Sequence, residues 1–323
     1  MTTTTQRPEL VHGFTAMASS VTLRIVEPGP GAVAAIRDAV RVIEDVAAAC
    51  TRFDPSSPLM RANADPTQWA KVPQVCSDAI RAAHAAYELT HGRFDPRVLA
   101  SLVRDGYAES RAFSETPELV PAGSAGASGG LERPTWEPQF DGNRVLLGND
   151  PIDLGGIGKG LAVRWASEML RDHGAGTLVD AGGDLMTSGV SPDGGPWRIG
   201  IENPWQAEGD PLVVVNASDA AVATSSIRLR SWRQGGSVRH HLIDPRTGEP
   251  GGAGLVSVSV VGEDAATSEV WSKALFLEGI DGIAAASNER GLAAIWIDVD
   301  GYVETSRPAR QRIEWQVSRA DRN

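Results

Sequence analysis

The chain has 323 residues, with 30 Lys plus Arg against 41 Asp plus Glu and a formal net charge of −11. That length holds one large or two ordinary domains with a sizeable core. The acidic balance, spread along the chain, excludes a general nucleic-acid or anionic-membrane binder, which needs a basic footprint.

In chain order, residues 1–11 read as a disordered tail. The segment MTTTTQRPELVHG lacks the basic and apolar regions of a signal peptide. No stretch approaches the roughly 18 apolar residues of a membrane span. A cytoplasmic protein without a membrane anchor is therefore expected. Ser20 to Glu27 (SVTLRIVE) alternates polar and apolar residues, as a half-buried strand does. Val33, Ile36, Val40, Ile43 and Ala47 step by three and four and predict one stripe of a helix over about 31–49. Cys50 and Cys76, the only cysteines, make neither a disulfide framework nor a four-thiolate zinc site and read as small buried hydrophobes. A second helix is predicted over about 77–91, with Gly92 as its C′ residue.

From Ser114 to Gln139 the chain is rich in Pro, Gly, Ala and Ser (VPAGSAGASGG). It has neither repeat nor apolar period and reads as the loop between two lobes, about 12–113 and 140–306. Beyond it, Leu161, Trp165 and Met169 share one face of a helix over about 160–173. Strands are predicted at 177–181, 197–202, 212–216, 238–243, 256–261 and 293–299, with a helix near 266–278. Residues 307–323 read as a C-terminal tail. Strands come in runs rather than in strict alternation with helices, which predicts an α+β fold.

The densest chemical signal is Ile152 to Gly160, IDLGGIGKG, followed at once by a helical pattern. Closely spaced glycines at a helix start let backbone N–H groups approach an anion, and the helix N-terminus suits phosphate. A P-loop would need Gly at 153 and Ser or Thr at 160, where Asp153 and Gly160 stand. The dinucleotide pattern fails too, because Leu161 occupies its last glycine position. An ordinary strand–turn–helix connection remains the alternative, but Asp153 and Lys159 bracket the turn. Lys159 is one of only three lysines, with Lys71 and Lys273, among 27 arginines.

The run LVDAGGD ends a strand in Gly182, Gly183 and Asp184, and reads as a tight turn or a ligand wall. In RHHLIDPRTGEP, His240 and His241 are adjacent on a strand and point to opposite faces, so at most one faces a site. Asp244 opens the turn that follows. Small and hydroxyl residues in AVATSS (221–226) allow close approach to a ligand. Phe53-Asp54 and Phe94-Asp95 each set an aromatic beside a carboxylate, where the ring can stack on a planar group.

The ordered series MAS (17–19), RFDPSSPLMRAN (52–63), GRFDP (92–96), DLGGIGKG (153–160), DAGGD (180–184), AVATSS, HLIDPRTG (241–248) and ATSEVWSKALFLEG (266–279) resembles the ApbE family of FAD:protein FMN transferases. The resemblance runs from about residue 12 to 306. It implies a T-fold-like α+β architecture with FAD in a cleft between two lobes. It also implies cleavage of the FAD pyrophosphate, transfer of FMN to a Thr or Ser of a target flavoprotein, and release of AMP. By position, it places Met17 in the flavin-site motif, Phe53 as a stacking aromatic and Asp95 in the adenine-side turn. Asp153, Gly156 and Lys159 fall in the phosphate-binding turn. Gly182, Gly183, Asp184 and Thr224 line the cleft, and His241 lies beside the reacting phosphate, followed by Asp244. A hydroxyl nucleophile needs a proton acceptor, and histidine has the nearest ordinary pKa. His241 is the expected base, with Asp244 orienting it or activating the hydroxyl and Lys159 supplying charge. An FAD pyrophosphatase and a non-catalytic FAD-binding protein are the alternatives.

Two departures from the family stand out. Its N-terminal MGT reads Met17-Ala18-Ser19. The resemblance also implies Mg²⁺ held by a carbonyl of the glycine turn, an Asp and a Thr four residues on, and these positions are Gly158, Glu269 and Lys273. A protonated lysine has no lone pair for a metal. The Lys273 ammonium is expected in the cation's place with Glu269 holding it. A surface i,i+4 ion pair, with Mg²⁺ bound elsewhere, is the alternative.

Overall fold

The computed structural model describes residues 6–109, 133–206 and 209–317. Residues 114–132 of the expected loop, and the outer ends of both expected tails, lie outside them. The frame is an eight-stranded sheet: β1 (Glu9–Ala16), β2 (Ser19–Val26), β3 (Gly176–Ala181), β4 (Asp184–Gly189), β5 (Ala221–Ser226), β6 (Leu255–Gly262), β7 (Ala293–Asp298) and β8 (Val303–Thr305). Its spatial order is the chain order, and every neighbouring pair is antiparallel.

The alternation in β2 works as expected. Val21, Leu23 and Ile25 are buried in the main core, while Thr22 and Arg24 face a large cavity. Pairing of β1 with β2 begins at Glu9, inside the stretch expected as tail. Likewise Ile313–Gln316 forms a strand on Val213–Asn216, which pairs in turn with Arg198–Ile201. This small sheet packs Val213, Val215 and Ile201 against Leu185, Val222, Val261 and Ile295 of the main sheet. Both stretches are short and partly exposed, so pairing rather than apolar patterning holds them.

Helices α1 (Ala32–Cys50), α2 (Gln74–Leu89), α3 (Gly158–Leu170) and α4 (Ala265–Phe276) follow the expected segments closely. Two of their faces differ from expectation. On α1 the buried stripe is Ala32, Ala35, Ile36, Ala39, Ile43 and Val46, and Val33 is 73% exposed. Alanines let α1 lie close to α3, so the larger valine is turned outward. On α3, Met169 is exposed, whereas Leu161, Ala162, Ala166 and Leu170 are buried. This helix packs against both α1 and α4, and the broader contact rotates its inner face. A Cβ on Gly160 would fall 2.6 Å from the Ala265 carbonyl oxygen and from Ala266 Cα, so α3 and α4 meet nearly backbone to backbone. Cys50 and Cys76 are buried free thiols. The hydrogen bond that the Cys50 thiol donates to Cys76, followed by burial, pushes the Cys50 thiol far up.

The strand expected over 238–243 is two pieces. Ser237–His240 pairs with Ser231–Gln234, and Ile243–Asp244 pairs with Glu249–Pro250. The break falls at His241 and Leu242.

Candidate functional site

A cavity of about 1400 Å³ opens at one end of the sheet. That exceeds an ordinary small-molecule pocket of roughly 300–1,000 Å³ and leaves room for a dinucleotide. Of the expected site residues, Met17, Phe53, Asp95, Asp153, Gly156, Gly158, Lys159, Gly182, Gly183, Thr224, His241 and Lys273 line it. Asp184 and Glu269 lie just behind the wall, each 1% exposed.

Two hairpin tips form one side. Met17-Ala18 joins β1 to β2, and Gly182-Gly183 joins β3 to β4. All four residues have positive φ, at 51°, 54°, 67° and 90°, which a two-residue type I′ turn requires. A Cβ on Gly182 would lie 2.6 Å from Ser19 Oγ, so the two tips touch. Met17 and Ala18 lack glycine's freedom, and each costs about 1–2 kcal/mol in this conformation. The Gly183 N–H donates to Asp180 Oδ1 at 2.8 Å. Asp180 also lines the cavity; burial first, then the Asp184 charge, raises its carboxyl. Sequence reasoning singled out Asp184 in this run and passed over Asp180, although its place as the inward residue at the end of β3 was a usable signal.

The glycine turn enters α3 beneath the cavity. A Cβ on Gly156 would meet Phe94 at 2.8 Å and the Lys273 stem at 3.3 Å. Asp153 donates its N–H to Pro96 O at 2.7 Å, and its Oδ1 lies 3.4 Å from Arg52 Nε. Burial raises the Asp153 carboxyl, against the pull of Arg52, Lys273 and Arg230. Lys159 hydrogen-bonds Asp184, whose other oxygen accepts the Thr224 N–H at 3.1 Å. Burial favours the neutral amine of Lys159, but Asp184 and Glu269 outweigh it and raise its pKa. The Thr224 hydroxyl is bonded to Ser259 Oγ at 2.8 Å.

The two histidines part, as expected, although the strand ends at His240 and His241 lies in the break beyond it. His240 is 2% exposed, accepts the Leu242 N–H at 3.2 Å and stands edge-on to Phe276. Burial drives its pKa down to about 4. His241 lines the cavity, and its buried Nδ1 has no hydrogen-bond partner among the described residues. Burial, then the charges of Arg230, His240 and Lys273, hold its pKa well below the usual value.

Asp244 is not placed to orient His241. It accepts from Arg246 Nη2 at 2.8 Å and from Arg93 Nη1 at 3.2 Å. Arg93 also reaches Glu278 at 2.8 Å and Leu277 O at 2.5 Å. This network fixes the 244–248 turn to the end of α4 and so sets the backbone on which His241 sits. Asp95 is similarly engaged by Arg97, at 2.8 Å from Nη2 and 3.0 Å from Nε. Phe53 is 41% exposed, with the Arg52 guanidinium 4.1 Å over its ring.

The place expected to hold Mg²⁺ does not fit it. Glu269 Oε2 accepts the Gly160 N–H at 2.8 Å, and its Oε1 accepts from Lys273 Nζ at 3.1 Å. Mg²⁺ demands oxygen donors in near-octahedral array, and the third position here presents an ammonium. Among the described residues, no three of His, Cys, Asp and Glu gather as a metal-binding group. Nor is this a surface ion pair, since Glu269 is buried.

An α+β frame with lysines, arginines and a histidine around a dinucleotide-sized cavity has the makings of a nucleotide-binding protein. Residues 17–296 match the family model described as the ApbE family, and the chain belongs to that family. It is 28% identical over 251 residues to the FAD:protein FMN transferase of Klebsiella pneumoniae (strain 342), covering 76% of this chain and 71% of that relative. The ApbE protein of Thermotoga maritima superimposes with a TM-score of 0.78 at 25% identity, over 95% of this chain and 100% of that one. The flavin transferase ApbE of Vibrio cholerae gives a TM-score of 0.74 at 22% identity, over 95% and 99%. Among the described residues, no helix is long and apolar enough to cross a membrane.

Proposed function

We propose that this chain transfers FMN from FAD to the hydroxyl of a Thr or Ser on a target flavoprotein, releasing AMP. The observation that carries this reading is His241. Its imidazole is kept neutral near pH 7 by burial, and its buried Nδ1 has no hydrogen-bond partner among the described residues. It shares the cavity with Lys159, Lys273 and Arg230. The acceptor oxygen attacks the phosphorus on the FMN side of the pyrophosphate and passes its proton to His241. The P–O bond to the AMP phosphate breaks, and AMP leaves with the electron pair. The lysines and Arg230 offset the charge that accumulates on the phosphoryl oxygens. A bound pyrophosphate also cancels part of the positive field on His241 and so makes it a better base.

Incubation with FAD and a flavoprotein domain, followed by a denaturing gel, tests the reading. Covalent flavin fluorescence on the acceptor, with AMP released in equal amount, is expected. AMP without a fluorescent band would make the chain a pyrophosphatase. Retained FAD with neither product would make it a binder.

A further inference from the structure

We infer that Lys273, clasped by Glu269, is a built-in counter-cation for the FAD pyrophosphate, so that FAD binding and FMN transfer by this chain need no divalent metal. The inference rests on the function proposed above.

Both oxygens of Glu269 are engaged. Its Oε2 takes the Gly160 N–H at the start of α3, and its Oε1 takes Lys273 Nζ. A divalent ion on this carboxylate would lie beside the Lys273 ammonium, which is 3.1 Å from Oε1. There it would stand against a like charge that cannot ligate it.

Lys273 is aimed at the phosphate turn. Its Cδ and Cε lie 3.3 and 3.4 Å from where a Cβ on Gly156 would stand, so the stem runs along the glycine backbone. The ammonium has three donors, and only Glu269 takes one among the described residues. The other two remain for a ligand in the cavity that Lys273 lines.

The charge balance points the same way. A Lys–Glu pair is neutral, whereas a divalent ion with one carboxylate carries a net positive charge. Arg230 supplies the missing charge. It lines the same cavity, its side chain pairs with no carboxylate among the described residues, and its field bears on Asp153, Lys159 and His241. An ammonium and a guanidinium provide charge without the rigid octahedral geometry of a metal.

The test is FAD affinity and FMN transfer by the full chain, each measured in excess EDTA and in Mg²⁺. The expected Kd is the same within about twofold in both, and Lys273→Met, which keeps the stem, weakens it about tenfold or more in both. Transfer is expected to proceed in EDTA. Wild-type binding or transfer that is lost in EDTA and restored by Mg²⁺ overturns the inference. So does a folded Lys273→Met variant with wild-type affinity. Chelator-insensitive FAD binding without transfer in either condition overturns the proposed function and leaves Lys273 as the phosphate cation. Absence of FAD binding in every condition overturns both.

Discussion

Lys159 and Lys273 flank the glycine turn, and each is bonded to a carboxylate that is 1% exposed. The two pairs are nevertheless built differently. Lys273 and Glu269 lie one helical turn apart on α4, so their pairing is local. Lys159 and Asp184 join the start of α3 to β4, and Asp184 also holds the Thr224 N–H of β5. The same charges thus act as a cavity-facing cation on one side and as a clamp between helix and sheet on the other.

The largest expected effect comes from breaking the clamp. Asp184→Asn removes the counter-charge of Lys159 and weakens the link from β4 to α3 and β5, and it should cost about 3–5 kcal/mol in urea unfolding. Replacing the lysine as well, as Lys159→Met with Asp184→Asn, keeps an acceptor for the Thr224 N–H and should recover much of that loss. Glu269→Gln still accepts from Gly160, and Lys273 can turn to water at the cavity wall, so a loss of only about 1–2 kcal/mol is expected. Equal losses for Asp184→Asn and Glu269→Gln would erase the distinction between clamp and cation.

The pairs are best compared above pH 6.5, because His240 adds its own titration. It is neutral in the fold down to about pH 4 but protonates near pH 6.5 when unfolded. The unfolded state therefore binds more protons between these values, and stability falls as pH drops through the window. From pH 7 to 5, His240 alone should remove about 2 kcal/mol. His240→Asn, which retains an acceptor for Leu242, should flatten that part of the unfolding-versus-pH curve. The smallest change sharpens the comparison at the hairpin tips. Ala18→Gly relieves a left-handed alanine beside Gly182 and should stabilise by about 0.5–1 kcal/mol, read as a raised Tm, with both lysine pairs untouched.

These pairs also mark what the sequence could disclose. The spacing of Glu269 and Lys273 on a predicted helix is enough to foresee their 3.1 Å contact. Lys159 and Asp184 are each conspicuous, but their bond depends on how α3 packs on the sheet, which no local pattern encodes. Asp244 follows His241 closely in sequence, yet Arg93, from a distant turn, competes for its carboxylate. His240 and His241 do part as a strand would have them, but the strand ends at His240, so the direction of His241 comes from the break that follows. AVATSS reads as a small-residue ligand motif, and its position as the inner strand β5 appears only through its pairing with β4 and β6. On α1 the stripe holds at Ile36 and Ile43 but fails at Val33, because alanines, weak in any apolar pattern, make the close contacts there.

Strands β2 and β3 are neighbours in the sheet, although residues 27–175 lie between them. During synthesis the first hairpin leaves the ribosome long before its partner exists. At about 5–20 residues per second, the wait is on the order of ten seconds. Throughout it, the backbone of β2 is an open template for other nascent chains. The yield of soluble protein will therefore follow translation speed and chaperone supply over that interval.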